Sequence, residues 1–278
     1  MFKTLKYLMT PTKMKLIVPF IFTTWISSSV QASEQPKVPD PNFQLYILMG
    51  QSNMAGRGTC DAESKVIHPR VKKLNKTLQW VPATDPLHFD KPSAGVGPGR
   101  TFGIQLAEAN PDIQIGLIPC AVGGSSIAVW QPGKHDKSTN TNPYDDMLRR
   151  VREAQKAGVL KGIIWHQGES DRGRADYDKA LSSLIELVRK DLEVPNLPFI
   201  AGEISDWSPE NSEKSEKTKL VNHKIHSLEN VIKNYAVVTV ESLTDRGDLL
   251  HFNTDSARKL GQRYADKMLT LQKSAMEK

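Results

Sequence analysis

Residues 45–58 read LYILMGQSNMAGRG, an apolar run that ends in a polar loop containing glycine. The first five residues suit a strand that is covered on both faces of a parallel sheet. Gly50 ends the run and delivers Gln51, Ser52 and Asn53 to the carboxyl edge of the sheet, where open α/β sheets bind their ligands. The stretch therefore predicts an α/β fold with Ser52 at its binding edge.

Four further apolar runs follow, and amphipathic stretches separate them. The predicted strands are residues 44–50, Ile113–Cys120, Gly162–His166, Pro198–Ser205 and Ala236–Ser242. The predicted helices are Thr101–Ala109, Asp145–Ala157, Ala175–Asp191, Lys214–Lys233 and Thr254–Lys273. Because right-handed crossovers place helices on both faces, we predict a three-layer α/β/α sandwich with a five-stranded parallel sheet.

Residues 59–100 contain several prolines and show no clear period, which predicts a long irregular segment that serves as a functional loop or lid. Within it, the basic stretch VKKLNK at residues 71–76 is interpreted as a solvated face.

The amino end has the pattern of a secretory signal peptide. Four lysines precede the apolar residues 16–30, and Val30-Gln31-Ala32 forms a small-residue cleavage site. The apolar run is shorter than the roughly 20 residues that a membrane span needs. We therefore predict cleavage after Ala32, a linker at residues 33–42, one domain at residues 43–278, and a secreted or periplasmic protein without stable membrane insertion.

Removing residues 1–32 takes away four lysines and no acid, so the formal net charge falls from +6 to +2. The mature chain also lacks a dense stripe of Lys and Arg with interleaved aromatic residues. The composition therefore does not favour nucleic acid as a partner.

The chain has two cysteines, Cys60 and Cys120, and export would bring them into an oxidising compartment. A bridge between them would close a loop of about 60 residues and stabilise the fold by roughly 4 kcal/mol. A disulfide is favoured over the alternative of two free thiols.

A serine hydroxyl needs an adjacent base to act as a nucleophile. Asp248 and His251 are three residues apart, in the loop that follows the last predicted strand. At this spacing the carboxylate can accept the Nδ1 proton of the imidazole and leave Nε2 free to take a proton from serine. Because the carboxyl ends of parallel strands share an edge, we expect both residues to meet Ser52.

Acyl transfer also requires hydrogen-bond donors aimed at a developing oxyanion. The segment AVGGSSI at residues 121–127 offers backbone N–H groups beside paired glycines, and WHQGESD at residues 165–171 offers the side-chain amide of Gln167. Together with the Ser52 N–H, these groups would supply three donors.

Four segments, namely GQSNMAGRG, AVGGSSI, WHQGESD and the DLLH quartet, occur here in the order found in the SGNH-hydrolase superfamily. They most resemble its sialate O-acetylesterase-type branch, which includes the acetyl xylan esterases of carbohydrate esterase family 6. The resemblance spans residues 43–270. It implies a flavodoxin-like sheet and a serine esterase that removes O-acetyl groups from sugars.

Under this resemblance Ser52 is the nucleophile, His251 the general base and Asp248 its orienting acid. Gly124, in preference to Gly123, supplies a backbone oxyanion donor, and Gln167 takes the place of the asparagine of the wider superfamily.

Polar residues beside these motifs are predicted to contact the sugar; they are Gln51, Asn53, Arg57 and Glu169. Glu169 is alternatively an acceptor that fixes neighbouring loops. Trp130 and Trp207 either stack on a sugar or pack in the core. His166 and Glu169 lack the helical spacing of a zincin, so neither a metal nor another cofactor is expected.

Two other functions stay open. One is a glycan-binding module on the same scaffold without turnover, and the other is a lipase or thioesterase with an apolar acyl groove. The complete set of reactive residues favours turnover, and the polar residues around the motifs favour an acetylated carbohydrate as partner.

Overall fold

The computed structural model of the protein describes residues 38–276, together with residue 2. Nearly all of the predicted signal peptide lies outside the described residues, as does the linker up to residue 37, so both stay predictions. None of the helices within the described part of the chain is both long and apolar enough to cross a bilayer.

The described residues form a central sheet of seven strands. The strands are β1 (Asp40–Gly50), β2 (Val71–Leu74), β3 (Trp80–Pro82), β4 (Gln114–Pro119), β5 (Gly158–His166), β6 (Phe199–Gly202) and β7 (Tyr235–Val238). They pair in the order β3-β2-β4-β1-β5-β6-β7, and only the β2–β3 pair is antiparallel. The α/β class is confirmed, whereas the predicted count of five strands is wrong.

Both additional strands come from the segment that was predicted to be irregular. Val71 and Leu74 are buried, while Lys72 and Lys73 between them are half-buried, so β2 does not show the apolar run of the inner strands. Lys73 donates from Nζ to the carbonyl oxygens of Thr84 and Pro86, each at 2.7 Å. The stretch interpreted as a solvated face is therefore a strand near the edge of the sheet, where lysine is common.

Helices cover both faces of the sheet, which confirms the three-layer arrangement. They are α1 (Ser52–Ala55), α2 (Pro98–Ala109), α3 (Pro143–Ala154), α4 (Tyr177–Asp191), α5 (Glu213–His226) and α6 (Thr254–Met276). Side chains of α3, α4 and α5 pack on one face, and those of α2 and α6 pack on the other.

β1 lies at the centre of both cores. Leu45, Ile47 and Met49 face the layer of α3, α4 and α5, while Tyr46 and Leu48 face α2 and α6, and all five are fully buried. Burial of one such side chain stabilises a fold by about 1.5–3 kcal/mol. This doubly covered strand fixes the position at which residues 51–53 leave the sheet.

The favoured disulfide is wrong, because Cys60 and Cys120 are both free thiols. Cys120 follows β4 and is hydrogen-bonded by Arg150 of α3, and burial raises the pKa of its thiol to about 11. Cys60 is exposed and lies near Arg258 of α6. The two thiols therefore sit near helices on opposite faces of the sheet, where they cannot bond.

Arg150 connects α3 to the ends of β2 and β4. Its buried guanidinium donates to the carbonyl oxygens of Pro119 at 2.9 Å, Asn75 at 3.1 Å and Leu74 at 2.6 Å. The side chain thus gives these strand-end carbonyls a charged donor, and the Asn75 carbonyl also accepts from the Leu78 N–H at 3.1 Å.

We predict that Arg150→Leu lowers the free energy of unfolding by about 2–4 kcal/mol, because the buried carbonyls of Pro119 and Leu74 lose their bonds to the guanidinium. Arg149→Leu is the matched control, since the Arg149 side chain is 58% exposed and pairs only with Asp146 at 3.4 Å. It should change stability by less than about 0.5 kcal/mol. Urea titration measures both; equal losses would contradict the bridging role.

Candidate active site

Ser52 lies at the carboxyl edge of the sheet because the chain turns sharply after β1. Gly50 has φ +129°, and a Cβ atom there would lie 2.1 Å from the carbonyl oxygen of His166 at the end of β5. The N–H of Gln51 donates to that same oxygen at 2.9 Å. Ser52 then begins α1 with only 7% of its surface exposed.

The His251 loop reaches Ser52 from the far end of the chain. His251 Nε2 lies 3.0 Å from Ser52 Oγ, and His251 Nδ1 lies 2.8 Å from Asp248 Oδ2. The other carboxylate oxygen of Asp248 accepts from the N–H groups of Leu250 and His251. One side chain therefore holds the turn and orients the imidazole.

The protonation of this set follows from Asp248. Burial raises the pKa of its carboxyl, but hydrogen bonds from His251 and from the Leu250 and His251 backbone outweigh that effect and lower the pKa overall. The ionised carboxylate can only accept, so the His251 proton lies on Nδ1. Nε2 is then the acceptor for the Ser52 hydroxyl.

The glycine pair near Ser52 presents one backbone donor. Gly123 N–H donates to Asp90 Oδ2 at 2.9 Å and is therefore occupied. Gly124 has φ +84°, and the nearest atom to a Cβ there would be Lys91 Nζ at 3.7 Å. Among the described residues, the N–H groups of Gly124 and Ser52 have no acceptor.

Gln167 does not lie as predicted. Its side chain is fully buried, and its amide nitrogen faces Gln51 Oε1 at 3.1 Å, the Ser125 carbonyl at 3.1 Å and Asp171 Oδ2 at 2.5 Å. Tyr177 donates its hydroxyl to Gln167 Oε1 at 2.8 Å. Two amide hydrogens already have three acceptors, so none is left for an oxyanion.

Gln51 carries a side-chain donor that the sequence did not assign to the oxyanion site. Its Oε1 accepts from Gln167 Nε2 and from the Ser170 N–H at 3.3 Å, which fixes the amide orientation. Its Nε2 has no acceptor among the described residues, and it is not one of the fully buried orphan atoms. Adjacency to Ser52 was the only signal for it in the sequence.

Arg57 is not available to a sugar, contrary to the prediction. Its guanidinium forms a buried ion pair with Asp90 at 2.7 Å, with side-chain exposures of 5% and 2%, and it also donates to the Gly56 carbonyl. Because Asp90 holds Gly123 as well, the pair supports the glycine loop. Asp90 belongs to the predicted irregular segment, and nothing in the sequence marked it.

Asn53 and Glu169 are also buried rather than open to a sugar. Asn53 Nδ2 donates to Glu169 Oε1 at 2.5 Å, and the Glu169 side chain is 2% exposed. The prediction of sugar contact is wrong for both residues. The alternative for Glu169, an acceptor that fixes neighbouring loops, matches the structure.

Each of the two tryptophans contacts a residue in a loop of the site. Trp130 is fully buried and donates from Nε1 to Ser125 Oγ at 3.0 Å. Trp207 packs edge-on against Phe252, the residue after His251, and donates to the Leu243 carbonyl.

In the described part of the chain, no group of three or more His, Cys, Asp or Glu side chains is arranged to hold a metal ion.

The three-layer sandwich brings the side chains of Ser52, His251 and Asp248 together at its carboxyl edge, in the order of hydrogen bonds that serine hydrolases use. Residues 42–270 match the sequence model of the family described as "Carbohydrate esterase, sialic acid-specific acetylesterase", and the chain belongs to that family. The resemblance stated from the motifs is thereby confirmed.

Individual relatives agree with this assignment. The "Probable carbohydrate esterase At4g34215" of Arabidopsis thaliana is 30% identical over 269 residues, which cover 87% of this chain and 97% of that protein. Its crystal structure has a TM-score of 0.72 over 83% of this chain and 99% of its own.

Two other solved structures share the fold at lower identity. NanS has 19% identity and a TM-score of 0.69, covering 84% of this chain and 99% of that chain. XAC1771, a carbohydrate acetylesterase from Xanthomonas citri, has 20% identity and a TM-score of 0.62, covering 82% of this chain and 56% of that chain.

We predict that Arg57→Met lowers the free energy of unfolding by about 3–5 kcal/mol, because it leaves the Asp90 carboxylate buried without its partner. Urea titration provides the stability, and initial rates on an acetyl ester provide KM. A raised KM with unchanged stability is the result expected of a sugar contact, and it would contradict the structural role.

Proposed function

We propose that this carbohydrate esterase removes O-acetyl groups from sugars through an acetyl-enzyme intermediate on Ser52. The observation that carries the proposal is the continuous hydrogen-bonded set in which Ser52 Oγ lies 3.0 Å from His251 Nε2, while Asp248 lies 2.8 Å from His251 Nδ1. This arrangement activates a serine hydroxyl without a metal ion.

In the first half of the reaction, His251 Nε2 takes the proton from Ser52 as Oγ attacks the acetyl carbonyl carbon. The tetrahedral intermediate collapses and breaks the bond between the acyl carbon and the sugar oxygen, and the imidazolium returns its proton to that oxygen. In the second half, His251 Nε2 takes a proton from water as the water oxygen attacks the acetyl carbonyl carbon. The tetrahedral intermediate then breaks its bond to Ser52 Oγ, the imidazolium returns the proton to Oγ, and acetic acid leaves.

Three donors are available for the oxyanion in this scheme. They are the N–H groups of Ser52 and Gly124 and the Nε2 hydrogens of Gln51. The Gln51 amide takes the role that was predicted for Gln167. Each such donor is worth about 2.7–4 kcal/mol of transition-state stabilisation. Gln167 acts instead through Gln51, because its amide holds Gln51 Oε1 in place.

The sugar alcohol is the preferred leaving group because of the residues around Ser52. Gln51, next to Ser52, accepts from the Ser170 N–H at 3.3 Å, and Ser170 Oγ donates to the Gly124 carbonyl at 3.0 Å. These groups are polar and small, whereas a lipase or thioesterase would need an apolar groove for its acyl chain. Family membership and the name of the Arabidopsis relative also favour a carbohydrate.

We further propose that the protein is exported and cleaved after Ala32, on the basis of the pattern in residues 1–32. The amino-terminal sequence of the protein recovered from its native host tests this, and an uncleaved terminus would contradict it.

We predict that Ser52→Ala and His251→Ala each lower kcat by several orders of magnitude on an aryl acetate, and that the double variant loses little more, because the residues act as a unit. Circular dichroism establishes that each variant is folded. Full activity in folded Ser52→Ala would contradict the mechanism, and additive losses would show that the two residues act independently.

We expect acetate release from acetylated sugars to exceed release from long-chain acyl esters. A panel of acetylated sialic acid, acetylated xylan, simple sugar acetates and a long-chain ester, assayed at equal ester concentration, separates the substrate classes by kcat/KM. Preference for the long-chain ester would support a lipase instead. Tight glycan binding with no acetate released would support a binding module.

A further inference from the structure

The side chain of Asn53 joins the loop that carries His251 to the helix that carries Ser52. Its Nδ2 donates to the Leu250 carbonyl at 3.1 Å, and its Oδ1 accepts from the Phe252 N–H at 3.2 Å. Leu250 and Phe252 are the two residues that flank His251. The amide therefore holds the backbone on both sides of the imidazole.

We infer that Asn53 is a positioning residue for the His251 base, and that Glu169 sets the direction of the Asn53 amide. The inference rests on the proposed function and goes beyond it, since neither residue touches the reacting atoms. Ser52 and Asn53 are consecutive in α1, so the nucleophile and the group that locates its base are fixed to the same short element.

Glu169 determines which way the amide points. The Leu250 carbonyl can only accept a hydrogen bond and the Phe252 N–H can only donate one, and Glu169 Oε1 accepts from the same Nδ2 that bonds to Leu250. The NH₂ end of Asn53 therefore has to face Glu169 and Leu250, and its oxygen has to face Phe252. A flipped amide would leave all three contacts unmade in a buried setting, which is strongly unfavourable.

The position of Glu169 is itself well defined. It opens a 3₁₀ turn after β5 that follows Gly168 at φ +148°, and His166 Nε2 lies 3.9 Å from the same Oε1 that accepts from Asn53. Hydrogen bonds thus run from Glu169, shortly after β5, through Asn53 to both neighbours of His251.

Proton transfer from Ser52 depends on the distance between His251 Nε2 and Ser52 Oγ, which is 3.0 Å. Asp248 orients the imidazole ring, but Asp248 belongs to the same loop and moves with it. Asn53 connects this loop to α1 by side-chain hydrogen bonds on both sides of the base. A misplacement of about 1 Å can cost about 100-fold in rate, so this connection matters for kcat.

The test uses the full-length protein and separates kcat from KM on an aryl acetate. Asn53→Asp replaces a donor by a carboxylate that faces Glu169 and the Leu250 carbonyl. We expect kcat to fall by about 100-fold while KM stays within about twofold, because the base moves away from Ser52 but the substrate cleft does not change.

Rescue distinguishes positioning from a general loss of packing. In Asn53→Asp/Glu169→Gln, the new glutamine amide can donate to the new aspartate, so the double variant should regain about tenfold in kcat over Asn53→Asp alone. Of the three variants, Glu169→Gln alone should show the smallest decrease in kcat, since the glutamine Oε1 can still accept a hydrogen bond from Asn53.

Asn222→Asp is the matched control. Asn222 also holds backbone on another element, accepting from the Ile204 N–H and donating to the Ile204 carbonyl, each at 2.9 Å. Asn222→Asp should lower the melting temperature about as much as Asn53→Asp does. It should leave kcat within about twofold of the unsubstituted protein, because the Ser52–His251 distance does not depend on Asn222.

Equal falls in kcat for folded Asn53→Asp and Asn222→Asp would overturn the inference, as would an unchanged kcat in Asn53→Asp. A double variant no faster than Asn53→Asp would overturn the role of Glu169. If Asn53→Asp does not fold, Asn53→Ser, which only removes the contacts, is assayed for the same kcat decrease. Ser52→Ala is run in parallel: its full activity would refute the proposed function, whereas inactive Ser52→Ala beside normal Asn53 variants would refute only this inference.

Discussion

The close approach of β1 to β5 is the constraint on which the site depends. Gly50 lies against the His166 carbonyl, at a distance that leaves no room for a Cβ atom, and the Gln51 N–H bonds to the same oxygen. This contact brings the loop after β1 against the loop after β5. Ser52, Gln51 and Asn53 are thereby placed beside Gln167, Glu169 and Ser170, and most polar contacts of the site follow from that arrangement.

The polar residues of the site divide into those with solvent-accessible groups and buried residues that hold these groups in position. Gly124 and the His251 ring are accessible to solvent beside Ser52, while Gln167 and Asn53 are buried. Buried polar groups must be hydrogen-bonded, so each residue of the inner layer is saturated by its neighbours. Their contribution to activity therefore has to be indirect, through the positions of the groups they hold.

The sequence predicted the inner strands because each is a continuous apolar run. It predicted the set of Ser52, Asp248 and His251 because these residues follow the first and last strands of a parallel sheet, whose carboxyl ends share an edge. It missed β2 because Lys72 and Lys73 interrupt the apolar pattern of this strand, which lies next to the edge of the sheet. It also assigned Arg57, Asn53 and Gln167 to direct contacts, since a polar side chain looks the same whether it faces a substrate or a buried partner. Only the fold shows that Arg57 forms a buried ion pair with Asp90, about 30 positions away in the chain.

In the proposed mechanism, Ser52 carries the acetyl group during turnover. The most direct measurement is mass spectrometry of the peptide containing Ser52, after acid quenching within the first turnovers of an aryl acetate, whose good leaving group makes acylation fast. We expect this peptide to gain the mass of one acetyl group, and we expect no such gain in Ser52→Ala. Acetylation of a different residue, or steady acetate release while the peptide stays unmodified, would contradict it.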